Sequence, residues 1–150
     1  MTKMRSGSSV IVAMVLGIVV LGARDTSNAS YSTYNLHGIY RVTFSGFVPS
    51  TGRLQSGVGI FVADGTGHLA GTEVFNNGGT ACRNVAVTGT YTVAGNGIGE
   101  VSADFTSSVA GCSGHFNSTL LLLDGADLIR VVSTDGNFVT ISEEWRRQPE

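Results

Sequence analysis

Residues Val85 to Phe105 read VAVTGTYTVAGNGIGEVSADF, and the fold turns on how this stretch is paired. Before the glycines, Val85, Val87, Tyr91 and Val93 fall on one face of an extended chain. Thr88, Thr90 and Thr92 fall on the other, with Cys82 and Asn84. After them, Val101, Ala103 and Phe105 alternate with Glu100, Ser102 and Asp104. A period of two on both sides of a Gly-Asn-Gly turn is the signature of a β-hairpin with one apolar and one polar face. The faces coincide when Val93 lies opposite Gly97, Val87 opposite Ala103 and Val85 opposite Phe105. A one-residue slip would set Asp104 against Val87. That register predicts a three-residue loop, Ala94-Gly95-Asn96, and places Tyr91 in the core with Glu100 and Asp104 in solvent. An earlier stretch, Gly38-Ile39-Tyr40-Arg41-Val42, repeats the Gly-x-Tyr-x-Val phrase and reads as a first strand with Tyr40, Val42 and Phe44 on one face.

Outward from this hairpin, turn clusters recur at Pro49–Gly52, Asp64–Gly67, Asn76–Gly79, Gly95–Gly97, Gly111–Gly114, Asp124-Gly125 and Asp135-Gly136. Gly and Asn there supply positive φ at low cost. The turns separate eight segments, near 38–47, 56–63, 67–75, 80–94, 97–106, 114–123, 127–133 and 137–146. No segment after the N-terminal stretch keeps a helical period, so the chain reads as all-β. Sequential strands with one apolar face predict an eight-stranded antiparallel up-and-down barrel, which leaves no free edge. A two-sheet β-sandwich of the same strands is the alternative.

The first 29 residues read as a secretory signal. Lys3 and Arg5 precede an uncharged apolar run of 13 residues, Val10 to Gly22, and Ser27-Asn28-Ala29 supplies small residues for cleavage after Ala29. The run is shorter than the ~20 residues of a spanning helix, so no stable membrane insertion is expected after cleavage; an uncleaved anchor is the alternative. No cysteine follows Leu21-Gly22-Ala23 to accept a lipid. The remaining segment, 30–150, is a single domain with six Arg, no Lys and ten acids, a net charge of 6 − 10 = −4. Nothing basic is clustered, which argues against a nucleic-acid partner. The expected location is secreted or periplasmic. There, Cys82 and Cys112 are read as a disulfide, since the hairpin register brings both to one end of the hairpin. A zinc site is not indicated, because neither cysteine sits in a Cys-x-x-Cys and His115 alone is too few ligands. No cofactor is expected.

The order of Gly38-x-Tyr40 at the first strand, eight strands, and Arg146-Arg147 at the end of the last resembles the calycin-type barrels. In lipocalins and avidins the first strand opens with Gly-x-Trp, and in lipocalins a late basic side chain packs on that Trp. Tyr40 stands in that place here, no helix follows the barrel, and Trp145 is the only tryptophan, so a Trp-lined biotin pocket is not implied. A further resemblance spans nearly all of 36–148. Small secreted bacterial proteins of no assigned function share Ala63-Asp64-Gly65-x-Gly67, Asn77-Gly78-Gly79, Thr88-Gly89-Thr90-Tyr91-Thr92-Val93 and a closing Arg146-Arg147-Gln148. It implies export and a barrel, and brings no activity.

Candidate ligand-binding residues follow from the interior face: Tyr40, Val42, Phe44, Val87, Tyr91, Val101, Phe105, Phe116 and Leu120. Three charges share strand faces with apolar residues. Glu73 lies with Leu69 and Phe75, Arg83 with Val85 and Val87, and Arg130 with Leu128 and Val132. If those faces point inward, the interior holds one carboxylate and two guanidiniums, paired or ligand-facing. Otherwise they reach water from strand ends. His115 would serve as a base only with a partner such as Asp104 or Glu143; His37 and His68 are expected in solvent. Asp64–Gly67 matches no phosphate or calcium loop and reads as a turn, no Gly-x-Ser-x-Gly elbow is present, and the sequon Asn117-Ser118-Thr119 falls within a strand.

Three functions remain, ranked in this order. The first is a barrel that binds a small, mostly apolar ligand. The second is a structural or protein-interaction module of the cell envelope with a filled interior. The third is a barrel enzyme of the cyclase or isomerase kind. An open cavity favours the first or third, and a convergent acid–base pair within it favours the third. Charge-free outer faces leave pairing between subunits open.

Overall fold

A computed structural model describes residues 30–149. The expected leader and its cleavage site lie outside the described residues. The strands are β1 (His37–Val48), β2 (Arg53–Asp64), β3 (His68–Asn77), β4 (Thr80–Val93), β5 (Ile98–Thr106), β6 (Gly114–Leu123), β7 (Leu128–Ser133) and β8 (Val139–Arg147). Each pairs antiparallel with its successor, and β8 pairs back onto β1, so eight strands close an up-and-down barrel. Closure satisfies both edges of the sheet, which accounts for the barrel over the open sandwich.

The alternation in β4 and β5 sets the faces as expected. Val85, Val87, Tyr91, Val101 and Ala103 are buried, while Glu100 and Asp104 are exposed. The pairing differs by two residues: Val87 lies opposite Phe105, Tyr91 opposite Val101 and Val93 opposite Gly99. The loop is correspondingly the four residues Ala94–Gly97, closed by Ala94 N–H donating to Ile98 O at 2.8 Å, with Gly97 at φ +81°. A slip of two keeps every side chain on its face, so only the turn could decide the register.

Two interior assignments are corrected. Arg83 points to solvent, because between Glu73↔Val85 and Phe75↔Cys82 one residue of β3 faces two of β4. This β-bulge, with Asn84 at φ +52°, reverses the alternation, so Cys82 turns inward rather than joining the polar face. Cys82 is disulfide-bonded to Cys112. Arg130 also faces out. Ile129 and Val131 take the interior of β7, and Arg130 pairs with Glu144 of β8 at 2.7 Å. The sequence LIRVVS is apolar on both faces, so alternation alone does not orient it.

The barrel is solid at one end. Leu36, which follows the short helical turn Thr33–Asn35, is fully buried with Tyr40, Leu120, Ile129 and Trp145. Tyr91 Oη donates to Leu36 O at 2.5 Å and accepts from Gly65 N–H at 2.8 Å. Arg147 lies 5.6 Å from the Tyr40 ring centroid and donates to both Tyr40 Oη (3.0 Å) and Asn35 O (2.8 Å). This cation–π and hydrogen-bonded stack ties the last strand to the first at the closed end. No helix among the described residues is long and apolar enough to cross a membrane.

Candidate functional site

At the opposite end, under the turns that follow β1, β3, β5 and β7, the interior is not filled. A chamber of about 130 Å³ is walled by Phe44, Phe61, Phe75, Phe105, Phe116 and Phe138, with Val42 and Val48. Gln55, Ser118, Ser133 and Asn137 add polar groups to its lining. Space there depends on β2 carrying no inward side chain at two positions. A Cβ on Gly57 would lie 2.6 Å from Phe75 Cβ and 2.7 Å from Phe44 Cε1. One on Gly59 would lie 3.1 Å from Glu73 Cβ. The two glycines are where the rings of Phe44 and Phe75 and the stem of Glu73 fit.

Two carboxyls project into this apolar space. Glu73 on β3 is 8 % exposed, and among the described residues no hydrogen bond or ion pair reaches it. Burial, and secondarily the charge of Glu143, raise its pKa from 4.5 to about 7. Glu143 on β8 accepts a hydrogen bond from Trp145 Nε1 at 2.9 Å. Burial raises its pKa to about 7 against the lowering effect of that bond. Charges in low-dielectric surroundings favour the neutral acid, and two acids sharing one site favour it further. Near pH 7 the pair together holds about one proton. Among the described residues no Arg or Lys lines the chamber, and the half-exposed His115 is part of its lining.

Of the residues anticipated in the interior, Val42, Phe44, Glu73, Phe105 and Phe116 line the chamber. Tyr40, Val87, Tyr91, Val101 and Leu120 belong to the solid half. Arg83 and Arg130 belong to neither. Glu143, Phe61 and Phe138 were not anticipated as lining residues. For Glu143 a signal was present: it stands two residues before Trp145, and alternation carries both to the same face.

His115 does find Asp104. Its Nδ1 lies 2.8 Å from Asp104 Oδ1, and its Nε2 lies 3.3 Å from both Ser102 Oγ and Asn117 Oδ1. The Asp104 hydrogen bond, above all, raises the His115 pKa. The Asp–His–Ser order is that of a nucleophilic triad, but an acyl-transfer site also needs free N–H donors for an oxyanion. Here Ser102 is paired with Asn117 and Asp104 with His115 in the β5–β6 ladder. The cluster is open to water, with His115 47 % and Asp104 68 % exposed as side chains, and it reads as a polar network across two strands. In the Asp64–Gly67 turn, Asp64 accepts from Thr66 N–H at 2.7 Å and His68 N–H at 3.0 Å, as a hairpin turn requires. Among the described residues no three His, Cys, Asp or Glu side chains are placed to hold a metal.

No protein family, curated protein or solved structure matches the chain.

Proposed function

We propose that this chain is an exported barrel that binds a small, mostly apolar molecule in the phenylalanine-walled chamber. One observation carries the reading: a barrel solid at one end keeps about 130 Å³ open at the other, under aromatic walls. An apolar cavity of roughly 150 Å³ holds a benzene-sized guest, which sets the scale of the ligand body at one ring or a short branched chain. Export is supported by the leader-like N-terminus and by the Cys82–Cys112 disulfide, which suits an oxidising compartment. The Arg147–Tyr40 stack supports kinship with the calycin-type barrels.

The test is titration of the purified protein with toluene, followed by NMR. Shifts are expected in the rings of Phe44, Phe75 and Phe116, and Ser118→Leu, which adds bulk at a residue of the chamber lining, should reduce them. Absence of shifts in the parent protein at millimolar toluene would overturn the reading. The Glu73–Glu143 pair favours a second reading, a proton-transferring enzyme of the isomerase or cyclase kind, because carboxyls with pKa near 7 suit acid–base work.

A further inference from the structure

The open chamber accounts for the phenylalanines, but not for two acids without a cation. Resting on the binding reading above, we propose that the chamber recognises a primary organic amine as its ammonium ion, with an apolar body of about one ring, held between the carboxylates of Glu73 and Glu143.

Glu73 is nine-tenths buried, aimed into the chamber, and left without a partner among the described residues. A buried carboxyl in that position is costly, and a cationic guest would relieve it. Glu143 accepts from Trp145 Nε1 through Oε1, and among the described residues no hydrogen bond reaches its Oε2, which is left for a guest. Aromatic walls give the same preference by an independent route, since the faces of Phe rings attract cations. An ammonium has three donors, enough to serve both carboxylates at once. A carboxylate-bearing guest meets the opposite field, with no guanidinium or ammonium among the described lining residues to receive it.

The titratable groups facing the chamber come from three strands: Glu73 of β3, Glu143 of β8 and, at the rim, His115 of β6. Around them β1 presents Val42 and Phe44, β2 Gln55 and Phe61, β5 Phe105 and β7 Ser133, none titratable. On β4, Val85 faces in and Arg83 faces out. His115 spends its Nδ1 on Asp104, outside the chamber. Uptake of the ammonium requires the pair to give up at least one proton, and affinity should rise with pH through neutrality while the amine, like that of Lys, stays protonated below ~10.

Benzylamine, benzyl alcohol and toluene share one body and differ at the head, so together they form the probe set. Each is titrated calorimetrically into the protein at pH 5.5 and pH 8. Benzylamine is expected to bind at least about tenfold more tightly at pH 8 than at pH 5.5, and to exceed benzyl alcohol by a similar factor at pH 8. The two neutral probes should not share that pH dependence. Glu73→Gln and Glu143→Gln should each lower the benzylamine-to-toluene affinity ratio about tenfold, while Glu100→Gln, on the outer face, leaves it unchanged. Toluene binding with no preference for benzylamine and no pH dependence overturns the amine assignment and leaves the apolar-binding reading standing. Failure of all three probes to bind overturns both. Should a glutamine variant not fold, the benzylamine-to-alcohol ratio and its pH dependence in the parent protein decide alone.

Discussion

The two chamber acids make a strong statement about stability and pH. In the unfolded chain Glu73 and Glu143 titrate near 4.5, and in the folded barrel near 7. The native state therefore holds protons that the unfolded state releases, and the stabilisation this gives is present at low pH and lost as pH rises from 4.5 through 7. Between pH 5 and pH 8 a carboxyl shifted this far costs the fold about 2.5 kcal/mol. Part of the Glu73 shift comes from Glu143, so the pair together is worth about 4 kcal/mol rather than the full double. For a domain of this size that is a fall in Tm on the order of 10 °C. Two other groups bear on the profile. The raised pKa of His115 also removes stability as pH rises, though its exposure makes the contribution small. The carboxylate of Asp64, held low by Thr66 and His68, loses its stabilising bonds only below its ordinary 3.8, outside this window. Thermal unfolding followed by circular dichroism at pH 5, 6, 7 and 8 should show a monotonic fall. Glu73→Gln should raise Tm at pH 8 and flatten the profile, because it removes the charge and keeps the shape. A Tm that rises from pH 5 to pH 8, or a Glu73→Gln variant less stable than the parent at pH 8, would refute the burial argument.

Three further outcomes are expected. Tyr91→Ala should cost about 3–5 kcal/mol in urea unfolding, since a buried ring and its bonds to Leu36 and Gly65 are lost, whereas Glu100→Ala should stay within ~0.5 kcal/mol; the reverse order would show the β4 face to be misassigned. Reduction of Cys82–Cys112, which spans a sequence separation of 30, should lower stability by about 3–4 kcal/mol, and alkylation without reductant should cap no thiol. Material exported by its native host should begin at Ser30 on N-terminal sequencing, and a retained Met1 in membrane fractions would contradict cleavage.

Alternation carried the fold a long way. The apolar faces of β1, β4 and β5 and the placement of Tyr91 and Glu100 follow from a period of two, whereas for Glu73 alternation left the interior and a strand-end reach to water both open. The β4–β5 register did not, because shifting by two leaves every face intact and the turn alone decides. Arg83 was misdirected by a bulge of one residue; Asn84, a residue that tolerates positive φ, is the only local hint of it. Arg130 lies in a strand apolar on both sides, where periodicity has no contrast. The chamber was the least legible feature. Its walls are set by Phe44 and Phe75 packing over Gly57 and Phe105 over Gly114, a three-dimensional balance of ring against missing side chain.

The seam between β1 and β8 has a kinetic meaning. Every other ladder joins strands adjacent in sequence and can zip as a hairpin, but this one joins the two ends of the domain. Long-range closure comes at a higher entropic cost and is expected late in folding. Glu143 rides on β8, paired with Phe44, and Glu73 sits three strands away from it around the ring. An open seam would leave Glu143 wetted and titrating as an ordinary side chain; closure sets it against the chamber, where its pKa is raised. Closure of the seam late in folding would then take up protons near neutrality, and refolding of this barrel should run faster in mildly acidic than in mildly alkaline solution.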